Sequence, residues 1–210
     1  MRPISVFKIQ DPQSSPDINL NQQIENYLNQ ELLERLEIIK ITPKKILLLG
    51  ENLHLENLLK NKYPKSEIIL FSNSPSLWPC KLVSPREEKN QSSQEFRKKS
   101  WLSKIFKSPA DPSIFISGSF DSLPFIKNSV DLIISNLHIF NSDLKKSLPE
   151  LSRILQKDGL LMLTLPGPDT FLELRKAMAC IDSHTHIPIF PDMHDLGDQL
   201  LKSKFKDPVM

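Results

Sequence analysis

Glycine is scarce in this sequence. Only five of its 210 residues are glycine, whereas an average usage of about 7% would give roughly 15. No complete G-x-G-x-x-G turn follows any apolar run that could form a strand, and dinucleotide-binding folds need those glycines so that the backbone can approach a pyrophosphate. This absence argues against a nicotinamide-dependent dehydrogenase.

Cysteine, charge of one sign and long apolar runs are also lacking. Cys80 and Cys180 are the only cysteines, and neither lies in a CxxC motif, which is typical of a reducing compartment without a cysteine metal site. The 27 basic and 25 acidic residues are mixed along the chain, so no strong field favours nucleic acid or an anionic membrane. No apolar run approaches the roughly 18 residues of a membrane span. We expect a soluble, cytoplasmic protein without nucleic-acid or membrane partners.

Proline and polar residues divide the chain. Residues 1–19 contain Pro3, Pro12 and Pro16, which predicts a flexible N-terminal arm. The length of residues 20–210 is typical of a single domain with its own core. Within it, residues 79–112 are rich in Lys, Ser, Glu and Pro and are predicted to form a mobile surface excursion.

The remaining apolar residues alternate between two patterns. Helical spacing predicts helices at 20–39, 53–62 and 144–155, the last ended by Lys157-Asp158-Gly159. Short apolar runs predict strands at 46–49, 67–71, 113–117, 131–135 and 160–165. Alternating strands and helices indicate an α/β protein with a doubly wound, mostly parallel sheet.

Ligands bind to such sheets outside the carboxyl ends of the strands, near the point where the strand order reverses. The loops at those ends are residues 50–54, 72–74, 118–121 and 136–143. We expect any small-molecule site to lie among them.

Several segments carry a family resemblance. LPF at 123–125, NSVDLIISNL at 128–137 and RILQKDGLL at 153–161 resemble the fourth-strand and helix-to-strand motifs of class I S-adenosylmethionine-dependent methyltransferases. GPDTFLELR at 167–175, DMHDLGD at 192–198 and FKDPVM at 205–210 are similar to the malonyl-acyl-carrier-protein O-methyltransferases of biotin synthesis. The resemblance implies a Rossmann-like methyltransferase fold, S-adenosylmethionine as cofactor and acyl carrier protein as a partner.

The resemblance also assigns positions to the cofactor. The family binds it through glycines after the first strand, an acidic residue after the second and groups in the third and fourth loops. The corresponding positions in this sequence are Gly50, Glu51, Ser72, Ser119, Phe120 and Asn136.

The sequence departs from the family at these same places. The family's D-x-G-x-G-x-G loop has Leu48 at its aspartate, and Asn52 and His54 at its second and third glycines. Ser72 stands where the family has the carboxylate that binds the ribose hydroxyls, and Ser119 where it has an adenine-contacting aspartate. Each lost charged hydrogen bond costs about 1.5 to 3 kcal/mol, so cofactor affinity is predicted to be weakened.

Other polar residues have more than one interpretation. Arg175 could bind a substrate carboxylate through its planar fork or form a surface salt bridge. Asp169 is predicted to cap a helix that begins at residue 170 or 171. His138 follows the fourth strand, where a general base could act, but a carboxylate acceptor needs no base, and simple packing or loop polarity is the favoured role.

A metal site is the weaker interpretation of the histidines. His184, His186, His194 and Asp192 could ligate a metal, but the resemblance aligns them with loop and turn segments, and we predict no metal.

Two functional hypotheses follow. In the first, the chain is an S-adenosylmethionine-dependent O-methyltransferase of a malonyl-acyl-carrier or a small carboxylate in biotin synthesis, and Glu51 or Asp121 replaces the missing carboxylates. In the second, it is a non-catalytic scaffold or interaction protein that no longer binds the cofactor. The family's sheet closes with an antiparallel hairpin, which the sequence is predicted to lack. The exposed edge of the 160–165 strand could then mediate homo-oligomer formation.

Overall fold

The structure is a computed structural model that describes residues 20–73 and 114–209. The chain divides into two compact units, one up to Lys40 and one from Ile41 onward. The described part of the first unit is helix α1, Leu20–Ile38, which agrees with the predicted helix. The predicted arm at 1–19 and the excursion at 79–112 lie outside the described residues.

The second unit contains a five-stranded sheet with the order β3-β2-β1-β4-β5. All four neighbouring pairs are parallel, which confirms the doubly wound fold. The strands are β1 Lys45–Leu49, β2 Glu67–Ser72, β3 Ile114–Ser117, β4 Val130–Asn136 and β5 Leu155–Thr164. The helices are α2 Leu53–Lys62, α3 Leu144–Ile154, α4 Leu172–Ala179 and α5 Met193–Lys202, with a short 3-10 helix at Ile139–Asn141.

The central strands form because their apolar runs are buried on both faces, as in most parallel sheets. No residue of β1 from Ile46 onward exposes surface, and the same holds for β4 from Leu132 to Ile134. Helix α3 adds Leu148 and Leu151 to the core that these strands share. The order of the strands reverses between β1 and β4, which places the switch point at their carboxyl ends.

Asp131 fixes the start of β1 against β4. Its Oδ2 accepts hydrogen bonds from the backbone N–H groups of Lys44 and Lys45, both at 2.8 Å. Such charge-assisted bonds are stronger than neutral ones. The register of the two strands that flank the switch point is therefore held by a side chain as well as by the ladder.

The predicted start of β5 at residue 160 is wrong. β5 begins at Leu155, directly after α3, and Val130 pairs with Leu155 whereas Leu132 pairs with Leu160. The extra residues form a bulge in which Asp158 has φ +64°. Asp tolerates the left-handed region, so Lys157-Asp158-Gly159 bends the strand instead of separating it from the helix.

The predicted cap at Asp169 is also wrong. α4 begins at Leu172, and its N-cap residue Phe171 has φ +59° and makes no side-chain capping bond. Asp169 contributes its backbone carbonyl, which accepts from the N–H of Leu172 at 3.1 Å. The left-handed Phe171 stops the helix from extending toward residue 170.

β5 has one partner strand, β4, among the described residues, and no antiparallel strand occurs in that part of the chain. Oligomer formation through this edge stays a prediction. Within residues 20–73 and 114–209, no helix combines the length and apolar character that crossing a membrane requires.

Candidate functional site

The switch point between β1 and β4 is lined first by Gly50. Its N–H donates to the carbonyl of Phe71 at 2.8 Å, which extends the β1–β2 pairing by one residue. Its φ of +98° lies in a region that glycine adopts without strain and other residues rarely adopt. The backbone therefore turns sharply at the end of β1, as a loop that approaches a ligand closely must do.

His138 covers Gly50. A Cβ built on Gly50 would lie only 2.0 Å from the Cγ and Cδ2 atoms of the imidazole, so the ring occupies the space of the missing side chain. Burial lowers the pKa of His138 from 6.5, and the ring is therefore neutral near pH 7. Of the two roles predicted for His138, packing describes this position, and the ring lies against Gly50 of the loop after β1.

The ends of β4 and β5 are linked by hydrogen bonds of the Thr164 side chain. The Thr164 hydroxyl donates to Oδ1 of the buried Asn136 at 2.7 Å and accepts from the N–H of Leu137 at 3.0 Å. Leu137 has φ +62°, a conformation that costs a residue with a side chain about 1 kcal/mol. This hydrogen-bonded turn directs the chain after β4 over the crevice and positions His138.

The first turn of α2 is capped from within. Oδ1 of Asn52, a residue only 2% exposed, accepts from the N–H of Leu55 at 2.8 Å. His54 is exposed. The two residues that replace family glycines thus differ in direction, because one side chain turns back onto the helix and the other faces solvent.

Glu51 and Ser72 meet at the ends of β1 and β2. Burial raises the pKa of the Glu51 carboxyl, and hydrogen bonding with the neighbouring Ser72 side chain offsets part of the rise. Both side chains are half-buried, so this pair combines restricted hydration with access to the crevice.

The loop after β3 places its three polar or aromatic candidates differently. Ser119 is exposed, and its Oγ accepts from the N–H of Asp121 at 3.2 Å. Phe120 is 2% exposed and packs against Phe71 with ring centroids 5.6 Å apart. Oδ1 of Asp121 accepts from the Ser147 hydroxyl at 3.3 Å. The ring of Phe120 therefore belongs to the core, and Asp121 is tied to α3.

Arg175 braces the segments on either side of α4. Its guanidinium donates to the carbonyls of Pro168 at 3.4 Å, Thr170 at 3.5 Å and Pro188 at 3.2 Å. Its Nε is buried and has no hydrogen-bond partner among the described residues. A role in binding a substrate carboxylate stays a prediction.

Two of the three histidines after α4, His184 and His186, interact with the Asp182 carboxylate. Nε2 of His186 lies 2.8 Å from Oδ1 of Asp182, and the same oxygen accepts from the N–H of His184 at 2.8 Å. That backbone bond is the main reason that the pKa of Asp182 lies below its usual value. Nδ1 of His194 lies 3.6 Å from Asp192. Across the two described ranges, no three acidic, His or Cys side chains are grouped to hold a metal ion.

The structure brings together four of the predicted cofactor residues at the carboxyl edge of the sheet, namely Gly50, Glu51, Ser72 and Asn136. The contact between His138 and Gly50 could not be found from spacing, because it depends on the left-handed turns at both residues 50 and 137. The sequence offered only one indication, a histidine directly after an apolar strand.

Comparison with known proteins agrees with this geometry. Residues 90–163 match the family model described as a methyltransferase domain. The malonyl-[acyl-carrier protein] O-methyltransferase of Gallionella capsiferriformans is 34% identical over 181 residues, which cover 85% of this chain and 57% of that protein. Malonyl-[acyl-carrier protein] O-methyltransferase 1 of Coxiella burnetii is 46% identical over 102 residues, which cover 48% of this chain and 36% of that protein.

The fold is also found in solved structures. Phosphoethanolamine N-methyltransferase 2 of Haemonchus contortus, solved with S-adenosyl-L-methionine, superimposes with a TM-score of 0.57 at 14% identity. The match covers 86% of this chain and 37% of that one. The chain spans little more than half the length of the Gallionella relative. It has the Rossmann-like fold of the class I methyltransferases and is similar in sequence to the malonyl-acyl-carrier-protein O-methyltransferases, which confirms the predicted resemblance.

Proposed function

We propose that this protein is an S-adenosylmethionine-dependent O-methyltransferase that methylates the free carboxylate of a malonyl group on acyl carrier protein, a cytoplasmic step in biotin synthesis. The observation that carries the proposal is the left-handed turn at Gly50 beside the half-buried Glu51–Ser72 pair, at the switch point of the sheet. The names of the similar proteins support the choice of acceptor and carrier.

The residues at the crevice fit the cofactor at its nucleoside end. Glu51 and Ser72 provide hydrogen-bonding oxygens suited to ribose hydroxyls, and Ser119 is exposed in the loop after β3. The methionine end of the cofactor would lie at Gly50, which the imidazole of His138 covers. The ring must therefore turn aside before the cofactor can contact the backbone of Gly50 and the turn at Asn136. The bound cofactor supplies a methyl group on a sulfonium, which any well-placed carboxylate can attack.

The protein's own contribution is positioning. A carboxylate is already nucleophilic near pH 7, so no general base is needed, and holding it in line with the methyl group removes much of the entropic barrier. His138 is neutral there and does not compete as a cation for the substrate carboxylate. Arg175, whose Nε lacks a partner among the described residues, is the group proposed to attract the malonyl carboxylate from the segment after β5.

Two measurements test the proposal. Calorimetric titration with S-adenosylhomocysteine measures binding, and mass spectrometry of malonyl-acyl carrier protein incubated with S-adenosylmethionine measures methyl ester formation. We expect binding and a mass gain of one methyl group on the malonyl carrier, with none on an acetyl carrier, which lacks the free carboxylate. A folded protein that binds neither cofactor form would instead support the scaffold hypothesis.

Replacing His138 by alanine is expected to tighten S-adenosylhomocysteine binding by about tenfold, because the variant no longer has to displace a packed ring from Gly50. His194→Ala is the matched control, since His194 is an exposed histidine of α5 and is not among the predicted cofactor positions. Titration of both variants would contradict this expectation if His138→Ala bound as the wild type does, or more weakly.

A further inference from the structure

The backbone is anchored on both sides of His138. On one side, Ile139 is fully buried and its N–H donates to the Ser135 hydroxyl at 3.3 Å. On the other side, the N–H of Leu137 donates to two oxygens of Thr164, the hydroxyl at 3.0 Å and the backbone carbonyl at 3.2 Å. The direction of the imidazole is therefore set by a short segment that is fixed at each end.

The two anchors differ in how readily they can release. Ile139 belongs to the hydrophobic core, so moving it would expose apolar surface. Leu137 and Thr164 are only half-buried, and Leu137 has φ +62°, a conformation that strains a residue with a Cβ. Such a residue keeps its conformation only where the surrounding structure holds it. The anchor at Leu137 is therefore the weaker one, and its release would relieve strain.

The ring that this segment directs fills the turn at Gly50. A Cβ on Gly50 would lie 2.0 Å from Cγ and Cδ2 of His138 and 2.4 Å from Nε2, so most of the ring covers the glycine. A change in the backbone at Leu137 alters the direction of the side chain that follows it. Release of Leu137 from the Thr164 hydroxyl would therefore uncover the backbone of Gly50.

We propose that the Thr164 hydroxyl is a latch that holds His138 over Gly50, and that this closed arrangement is an autoinhibitory contact. The open arrangement is the form that binds the cofactor. A ligand that binds only the open form has an apparent affinity reduced by the fraction of molecules that are open. The inference rests on the proposed function and adds what controls access to the site. Thr164 is a positioning residue, because it acts through Leu137 and His138.

The first experiment measures the accessibility of His138 without any ligand. Diethyl pyrocarbonate reacts with accessible neutral imidazoles, and peptide mass spectrometry gives the rate at each histidine. The proteins are the wild type, Thr164→Val, which lacks the hydroxyl, and Thr164→Ser, which keeps it. Thermal unfolding checks that each variant is folded, and Thr164→Ala takes the place of Thr164→Val if valine disrupts the fold.

We expect His138 to be labelled about fivefold faster in Thr164→Val, because loss of one hydrogen bond makes opening more frequent by about that factor. The rate in Thr164→Ser should match the wild type. The exposed His194 should be labelled equally in all three proteins. An unchanged rate at His138 in the variant without the hydroxyl would overturn the inference and leave the proposed function in place.

The second experiment is a double-mutant cycle with S-adenosylhomocysteine as the ligand. Loss of a purely structural residue would weaken binding, whereas release of the cover strengthens it. We expect Thr164→Val to bind about fivefold more tightly than the wild type and to have no effect in protein that already carries His138→Ala. Weaker binding by Thr164→Val, or the same change in both backgrounds, would overturn the inference. If no folded variant bound the ligand while the labelling rates behaved as expected, the proposed function would be wrong and the control of His138 by Thr164 would stand.

Discussion

Replacing Gly50 by alanine is expected to lower the free energy of unfolding by about 3 kcal/mol and to abolish measurable cofactor binding. Two causes combine. An alanine at φ +98° is strained by roughly 1 to 2 kcal/mol, and its Cβ would overlap the imidazole of His138 at 2.0 Å. Because the ring is held by the turn at Leu137, it cannot move without a further cost. Chemical denaturation and titration with S-adenosylhomocysteine measure the two effects.

The causes can be separated with further variants. Gly167→Ala is the control, because a Cβ at Gly167 meets no atom within 4 Å. The free energy of unfolding of this variant should differ from the wild type by less than about 0.5 kcal/mol. The double variant Gly50→Ala with His138→Ala removes the overlap and should regain about half of the loss. A loss below about 1 kcal/mol in Gly50→Ala would mean that the turn and the ring are not coupled as described.

Replacing Arg153 by alanine is expected to cost about 3 kcal/mol of stability. Its guanidinium donates to the carbonyls of Phe125 at 2.8 Å and Leu123 at 2.9 Å and to both oxygens of Glu150. Glu150 in turn accepts from the N–H of Leu123 at 3.0 Å. The change removes the arginine donor from both carbonyls and from the Glu150 carboxylate, while the Leu123 carbonyl keeps the N–H of Phe125 and Glu150 keeps the N–H of Leu123. Each lost hydrogen bond costs about 1 kcal/mol. Chemical denaturation near pH 7 measures it.

Arg153→Lys is the matched control for charge, and it should recover less than half of the loss because lysine lacks the planar fork. The pH dependence gives a second check. The hydrogen bond with Arg153 is the main cause that holds the pKa of Glu150 below 4.5, so its contribution is present above that pH and is lost as the pH falls through the lower, folded-state pKa. The stability difference between wild type and Glu150→Gln should therefore shrink on acidification below about pH 4.5. If the stability difference between wild type and Glu150→Gln grew on acidification, Glu150 would not be the ionised partner of Arg153.

Local pattern was enough to predict most of the fold. α2 was predicted at 53–62 and occupies Leu53–Lys62, because an apolar period is bounded there by a sharp turn and by Tyr63-Pro64. The strands were predicted from short apolar runs, which are typical of buried parallel strands. The loops that carry Gly50, Glu51 and Ser72 could be assigned to one edge of the sheet, since the carboxyl ends of neighbouring parallel strands meet there. Their assignment to the cofactor came from the family resemblance.

The errors arose where the backbone takes rare conformations. Asp158 and Phe171 both have positive φ values. Neither residue type predicts a positive φ, whereas a glycine at the same position would indicate one. The first turned a predicted helix end into a bulge of β5, and the second moved the start of α4 past Asp169. The proximity of Ser72 to Glu51 also could not be predicted from local pattern, because it depends on the register of β1 against β2.

The cap that Asn52 places on α2 should reduce the dependence of ligand binding on salt concentration. A helix start with free N–H groups attracts anions, and that attraction weakens as salt screens it. Here the side chain of Asn52 already satisfies the N–H of Leu55, so a ligand's negative groups gain less from the helix than they would at an open glycine loop. The proposed cofactor site is therefore expected to select its ligand by hydroxyl groups and shape, and its affinity for S-adenosylhomocysteine should change little between low and high salt.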